Sequence, residues 1–254
     1  MTTTKRSAHR DTYSRFHRHV LGEQLPPLLG GHVEMILKTP EIADVGCGDG
    51  SVIWALKSKG YAGTIYAIDR SPARVERAER IGDDIVGLVG DATAIPLERA
   101  MVSGAVCSQV IEHVPDQDGL IAELRRVLRP GGWFYVGSVS RRRISWWIYR
   151  RDGRWWLDPT HVREYGDVAE LVSVVERGGL RVRATATSPI RFSVADLAMR
   201  LLVMARLIKP DSISRIGSRG WLRRFRLPVL GYQAIEVWGC AAPEPAPDGR
   251  PSDA

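Results

Sequence analysis

Residues 44–50, DVGCGDG, close a short apolar run, EIADV at 41–45, and open a helical pattern over 51–60. Glycines at 46, 48 and 50 let the backbone turn tightly and approach a ligand with no Cβ in the way. A strand, a glycine turn and a helix in that order are the first unit of an α/β sheet with a ligand site at its carboxyl edge. A dinucleotide fingerprint would have glycine at 51, where this chain has Ser51. It would also place a pyrophosphate beside Asp49, which repels it.

Outward from that turn, β-branched runs alternate with helical patterns. Strands are expected at 41–45, 64–69, 84–89, 103–108 and 132–138, and again at 180–187 and 232–239. Helices are expected near 51–60, 72–80, 117–128 and 166–177. Ser71 is expected to cap the second, with Pro72 at its first helical position. The third is expected to stop at Pro130-Gly131-Gly132. This pattern predicts a doubly wound, mostly parallel seven-stranded sheet over 41–240 with a helical basic insertion at 188–231. Residues 1–40 are expected to form one or two helices, broken at Pro26-Pro27 and Gly30-Gly31. The Pro-rich tail, 241–254, is expected to be disordered.

Acidic residues stand at or just after the carboxyl ends of three of the strands. Asp44 stands where it can meet a cationic amino group, Asp69 where it can grip ribose hydroxyls, and Asp91 where it can meet an adenine amino group. The ordered set DVGCGDG, AIDRS (67–71), GDATAIPL (90–97), AVCSQVIEHVPD (105–116) and LRRVLRPGGWFYVGS (124–138) resembles the motifs of class I S-adenosylmethionine-dependent methyltransferases. The resemblance covers roughly 40–187 and the closing strand at 232–239, and it says almost nothing about the acceptor. It implies that Asp44, Gly46, Gly48 and Asp69 hold S-adenosylmethionine, with Arg70 beside them and Asp91 and Ala92 at the adenine. Gln109 would approach the methionine end. Cys47 occupies a position many relatives share and needs no redox role.

On the acceptor side, Glu112 and His113 emerge from the fourth strand, and DPTHVREYG presents His161 much later. Some relatives use Glu-x-x-Glu-His and a later His to hold a divalent metal. Certain sugar O-methyltransferases are similar in having Gln-x-x-Glu-His and His-x-Arg-Glu, here Gln109, Glu112, His113 and His161 to Glu164. The resemblance implies O-methylation of a sugar hydroxyl on a glycan, glycolipid or nucleotide-linked molecule. A membrane quinone or other lipophilic acceptor is the alternative, and a cofactor-binding protein without catalysis is the non-enzyme reading. Two chemistries stay open for Glu112, His113 and His161: they hold Mg²⁺ or Mn²⁺ that activates a hydroxyl, or a histidine acts as general base. In metal-free relatives the Glu-His pair only holds loops.

The net charge of +7 is local. Residues 188–231 carry nine basic side chains against Asp196 and Asp211, a surplus equal to the whole chain's charge. A second basic block, RRRISWWIYRRDGR at 141–154, lies in an expected loop over 139–163 that carries Trp146, Trp147, Tyr149, Trp155 and Trp156. Basic residues beside apolar ones suit an anionic membrane surface or a phosphate-bearing or lipid-linked acceptor. They equally suit a helical cap or a dimer interface, and the oligomeric state stays open. No appended RNA-binding domain accompanies the charge, so a nucleic-acid partner is not expected. Three scattered cysteines, a charged start and no long apolar run lead us to expect a cytoplasmic protein, peripheral at the inner membrane face if the basic insertion engages lipid.

Overall fold

The computed structural model describes residues 24–145, 149–193 and 226–242. Two short helices, α1 (Pro27–Gly31) and α2 (Val33–Ile36), lead into the sheet. The core units follow as β1 (Glu41–Val45), α3 (Ser51–Lys57), β2 (Thr64–Asp69), α4 (Pro72–Glu79) and β3 (Ile85–Val89). Next come β4 (Val102–Ser108), a 3₁₀ turn at Ile111–His113, α5 (Gln117–Val127) and β5 (Leu128–Arg141). A hairpin of β6 (Tyr149–Arg151) and β7 (Arg154–Trp156), then α6 (Val168–Arg177), β8 (Leu180–Ser193) and β9 (Arg226–Ala241), complete the described chain.

The seven strands lie in the order β3-β2-β1-β4-β5-β9-β8. The first five run parallel, and β9 returns antiparallel between β5 and β8. The expected doubly wound sheet is therefore present. Side chains alternate across it, as a strand requires. Along β5, Phe134 and Val136 enter one core with Leu120, Ile121 and Leu124 of α5 and Leu171 and Val174 of α6. Trp133 and Tyr135 enter the other, with Ile53 and Leu56 of α3 and Ala78 of α4. Burial on both faces explains why β1 reads as an almost continuous apolar run.

Asp116 and Asp167 cap α5 and α6, accepting the N–H groups of Gly119 and Glu170 at 2.9 Å. Under α1 and α2, the rings of His32, Trp238 and Trp133 stack in sequence, at 4.1 and 4.7 Å between centroids. Trp133 Nε1 donates to Thr39 Oγ1 at 3.0 Å.

Several expectations need correction. Ser71 does not cap α4 through its side chain; its own N–H donates to Asp69 Oδ1 at 2.9 Å, although Pro72 does begin the helix. The expected break near Gly30-Gly31 falls one residue later, at His32, where α1 ends after Gly31 and α2 starts at Val33. Helix α5 ends at Val127, because Leu128 already pairs with Val102 at the start of β5. The expected loop at 139–163 contains a hairpin, turned at Asp152-Gly153 with φ of 50° and 73°. Strands β8 and β9 extend beyond the expected ends of the insertion, pairing Ser193 with Arg226, and Ala241 of the expected tail pairs with Leu180. The remaining insertion residues 194–225, with most of the basic cluster, lie outside the described residues. So do the N-terminal 1–23, the tail from 243, and Trp146 and Trp147. Among the described residues no helix is long and apolar enough to cross a membrane.

Candidate functional site

The carboxyl ends of β1, β2, β3 and β4 open into one cavity of about 760 Å³. Every residue assigned from the sequence to the cofactor or to the Glu112, His113 and His161 set lines it, from Asp44, Gly46, Cys47 and Gly48 to Glu112, His113 and His161. That convergence follows from topology, since strand order reverses beside β1 and the connections diverge there.

The glycine turn hangs from the neighbouring strand. Gly46 and Cys47 donate their N–H groups to Ile68 O at 2.7 and 2.9 Å. Gly48 N–H donates to Asp69 Oδ2 at 3.0 Å. Gly46 sits at φ +75°, and a Cβ there would come within 2.3 Å of Val110 Cγ2. Only glycine fits both demands. Asp44, at the end of β1, is 2% exposed, and its Oδ2 has no hydrogen-bond partner among the described residues. Burial, reinforced by the Asp69 charge, pushes its carboxyl up to about 7. A cationic group would remove that penalty.

At the other side, Asp91 Oδ1 accepts from the N–H and hydroxyl of Thr93, and its Oδ2 pairs with Arg70 at 3.3 Å. Burial opposes its ionisation, but the Thr93 bonds and Arg70 hold the carboxyl below its ordinary range. Ala92 is buried beside it. Gln109 adopts φ +57° and donates its N–H to Gly137 O at 2.8 Å, which turns the chain off the end of β4. Cys47 is buried, its thiol pushed up by desolvation and then by the Asp44 charge.

Glu112 is fully buried. Its Oε2 accepts from Ser138 Oγ at 2.9 Å, while Oε1 has no partner among the described residues. Burial lifts its carboxyl to about 7, against the opposing pull of His161 and the Ser138 hydroxyl. His161, 4% exposed, sets Nδ1 against Glu164 Oε1 at 3.0 Å. His113 sets Nδ1 against Thr160 Oγ1 at 3.0 Å. One donor atom from each of Glu112, His113 and His161 lies within 4.8 Å of the others.

Two residues absent from the sequence-based set stand in the same cavity: Asp158 and Thr160. Burial works against the Asp158 carboxylate, yet the hydroxyl and N–H of Thr160, then the two imidazoles, hold it below its ordinary range. The signal was present in DPTH, where an Asp two residues before a Thr forms a side-chain turn. Arg151 steadies this loop from the hairpin. Its guanidinium donates to Pro159 O and His161 O at 3.2 and 2.8 Å and stacks 4.0 Å from the Trp156 ring.

Comparison with known proteins adds to this geometry. Residues 43–136 match the family model described as a methyltransferase domain. A probable S-adenosylmethionine-dependent methyltransferase of Mycolicibacterium smegmatis is 33% identical over 145 residues, covering 57% of this chain and 53% of its own length. A ubiquinone biosynthesis O-methyltransferase of Thiobacillus denitrificans is 31% identical over 114 residues, 42% of this chain and 47% of that one. The matched segments thus span about half the length of these relatives. Among solved structures, a methyltransferase candidate from Bacillus halodurans superposes with a TM-score of 0.60 at 16% identity, covering 84% of this chain and 98% of its own. That likeness bears on the fold alone.

Proposed function

We propose that the chain is a class I S-adenosylmethionine-dependent methyltransferase, a reading supported by the methyltransferase-domain match over residues 43–136 and the similarity to the Mycolicibacterium smegmatis protein, and that it methylates a hydroxyl oxygen of a small, polar acceptor. One observation carries this reading: Glu112, His113 and His161 face the same cavity as Asp44 and Asp69, their donor atoms within 4.8 Å of one another.

The residues present fit the cofactor. The unpartnered Asp44 oxygen answers an amino group, Asp69 the ribose hydroxyls, Asp91 and Ala92 the adenine, and the Cβ-free Gly46 leaves the approach open. When bound, S-adenosylmethionine supplies an electrophilic methyl group on a sulfonium. Most of the remaining catalysis is positioning, because an in-line displacement needs the oxygen held at one angle and distance.

Carboxylates of Glu112 and Asp158 flank the acceptor end, with Glu164 behind them. An anionic group would be repelled there, so the reacting part of the acceptor is an uncharged hydroxyl, as on a sugar ring. Any phosphate or lipid portion of the acceptor extends away from these carboxylates. A quinone-derived phenol is the second reading, favoured by the similarity to the ubiquinone biosynthesis O-methyltransferase.

The triad also fits a divalent cation, since Glu112 Oε1 is buried without a partner beside two imidazoles. One oxygen and two nitrogen donors suit Mn²⁺ better than Mg²⁺, which prefers oxygen and water. When bound, such an ion lowers the pKa of a hydroxyl and orients it. Glu164 and Thr160 would fix the two rings in the manner of outer-shell partners.

The test is methyl transfer from isotopically labelled S-adenosylmethionine to two panels, free and nucleotide-linked sugars and catechol-type phenols, each with Mn²⁺ and with chelator. Product in the sugar panel supports the leading reading and product only with phenols supports the second. No product in either, with the cofactor bound, removes both.

A further inference from the structure

Thr160 stands between a carboxylate and an imidazole. Its Oγ1 lies 2.5 Å from Asp158 Oδ1 and 3.0 Å from His113 Nδ1. The same Asp158 oxygen accepts the Thr160 N–H at 2.8 Å, so this carboxylate serves as an acceptor. A hydroxyl has one proton to give. Once that proton points to Asp158, the second hydrogen bond needs its proton from the ring, and Nδ1 of His113 must donate.

We infer that Asp158 and Thr160 are positioning residues that hold neutral His113 as its Nδ1–H tautomer, so that Nε2 carries the ring's electron pair. This reverses the usual preference of a free imidazole, which keeps its proton on Nε2. His161 reaches the same state by a different route. Its Nδ1 faces Glu164 Oε1, an oxygen that also accepts the Leu157 N–H at 2.7 Å. Arg141 lies 3.6 Å from the other Glu164 oxygen. The two rings, edge to face at 4.8 Å, are thereby set alike. Which ring nitrogen carries the proton is decided by the partner of the other one. The arrangement serves either chemistry at this site, because a base and a metal ligand both need that lone pair. The consequence for catalysis rests on the proposed methyl transfer, whereas the hydrogen-bond polarity does not.

The experiment is a long-range ¹H–¹⁵N correlation spectrum of histidine-labelled protein, at a pH where the ring is neutral, with His113→Gln identifying the His113 signals. The unmodified protein should show His113 protonated on Nδ1. Thr160→Val should move most of the population to Nε2–H, and Thr160→Ser should keep it on Nδ1. In parallel, kcat should fall about tenfold in Thr160→Val and recover in Thr160→Ser, with cofactor Kd unchanged in both. An Nε2–H tautomer in the unmodified protein, or an unchanged tautomer in Thr160→Val, overturns the inference. If the tautomers behave as expected and no acceptor is methylated by any variant, the inference stands and the proposed function fails.

Discussion

His113 and His161 meet edge to face, their ring centroids 4.8 Å apart and their planes inclined at 70°. The backbone enforces this meeting. Val162 and Arg163 both donate their N–H groups to the carbonyl oxygen of Glu112, at 2.8 and 3.2 Å. The later segment is thus clipped to the residue next to His113, and the acceptor end behaves as one unit.

Substitution within that unit should therefore separate chemistry from cofactor binding. His161→Ala and Glu112→Gln are expected to lower turnover by about a hundredfold or more, the scale of losing a general base or a metal ligand. Calorimetric affinity for S-adenosylhomocysteine should stay within about twofold, because neither residue belongs to the glycine turn. If a cation is held, a chelator should reproduce the loss and Mn²⁺ should restore activity. Full activity in the chelator removes the metal.

Asp69 ties the turn together as well as lining the cavity, accepting from Gly48 N–H and Ser71 N–H. Asp69→Ala should weaken cofactor binding by about 1–3 kcal/mol, as loss of a charge-assisted acceptor does. Calorimetry reads this directly. An unchanged affinity would place the ribose elsewhere.

Asp44 should make both stability and binding depend on pH. Its carboxyl binds a proton more tightly in the folded protein, at about 7, than at the ordinary 3.8. The resulting stability is fully present below about 4 and is lost as pH rises through about 7. Glu112, also lifted to about 7, acts in the same direction. Melting temperature without cofactor should fall between pH 5 and pH 8, and Asp44→Asn should shrink that fall. Cofactor affinity should rise over the same range, because a cationic amino group favours the ionised carboxylate. A pH-independent affinity would detach Asp44 from the amino group.

Gly46→Ala should damage the turn twice. It forces an alanine to φ +75°, costing about 1–2 kcal/mol, and drives a methyl into Val110. Cofactor binding should drop about tenfold or more, and adding Val110→Ala should recover part of it. Equal losses in the single and double variants would show that backbone strain alone is responsible.

The glycine turn and the acidic strand ends were legible because each is a local pattern: chain spacing brings Asp44, Asp69 and Asp91 to one edge once the sheet is parallel. His161 pairs with His113 on family resemblance and on the convergence of strand ends at one edge of the sheet, since nothing local in DPTHVREYG specifies the carbonyl of Glu112 as its backbone anchor. Asp152-Gly153 is a strong turn signal between two short strands. Arginine and tryptophan around that turn mask the signal, because their pattern reads as a binding loop. Ser71 looked like a helix cap by type, but Asp69 claims its N–H in a turn of its own. Thr160 carries no local signal of its contact with His113, because that hydrogen bond reaches a ring far away in the chain.

The stacked indoles of Trp133 and Trp238 lie nearly parallel, 12° from coplanar, and Trp133 pairs with Gly104 towards the amino end of β4. Two such chromophores so close couple their transitions and should give a paired circular-dichroism signal in the far ultraviolet. That signal reports packing beneath α1 and α2, whereas the cavity opens at the opposite ends of the parallel strands. The signal should therefore follow global folding and stay unchanged through ligand titrations. A site variant that has lost function can be told apart from one that has lost its fold without adding a label.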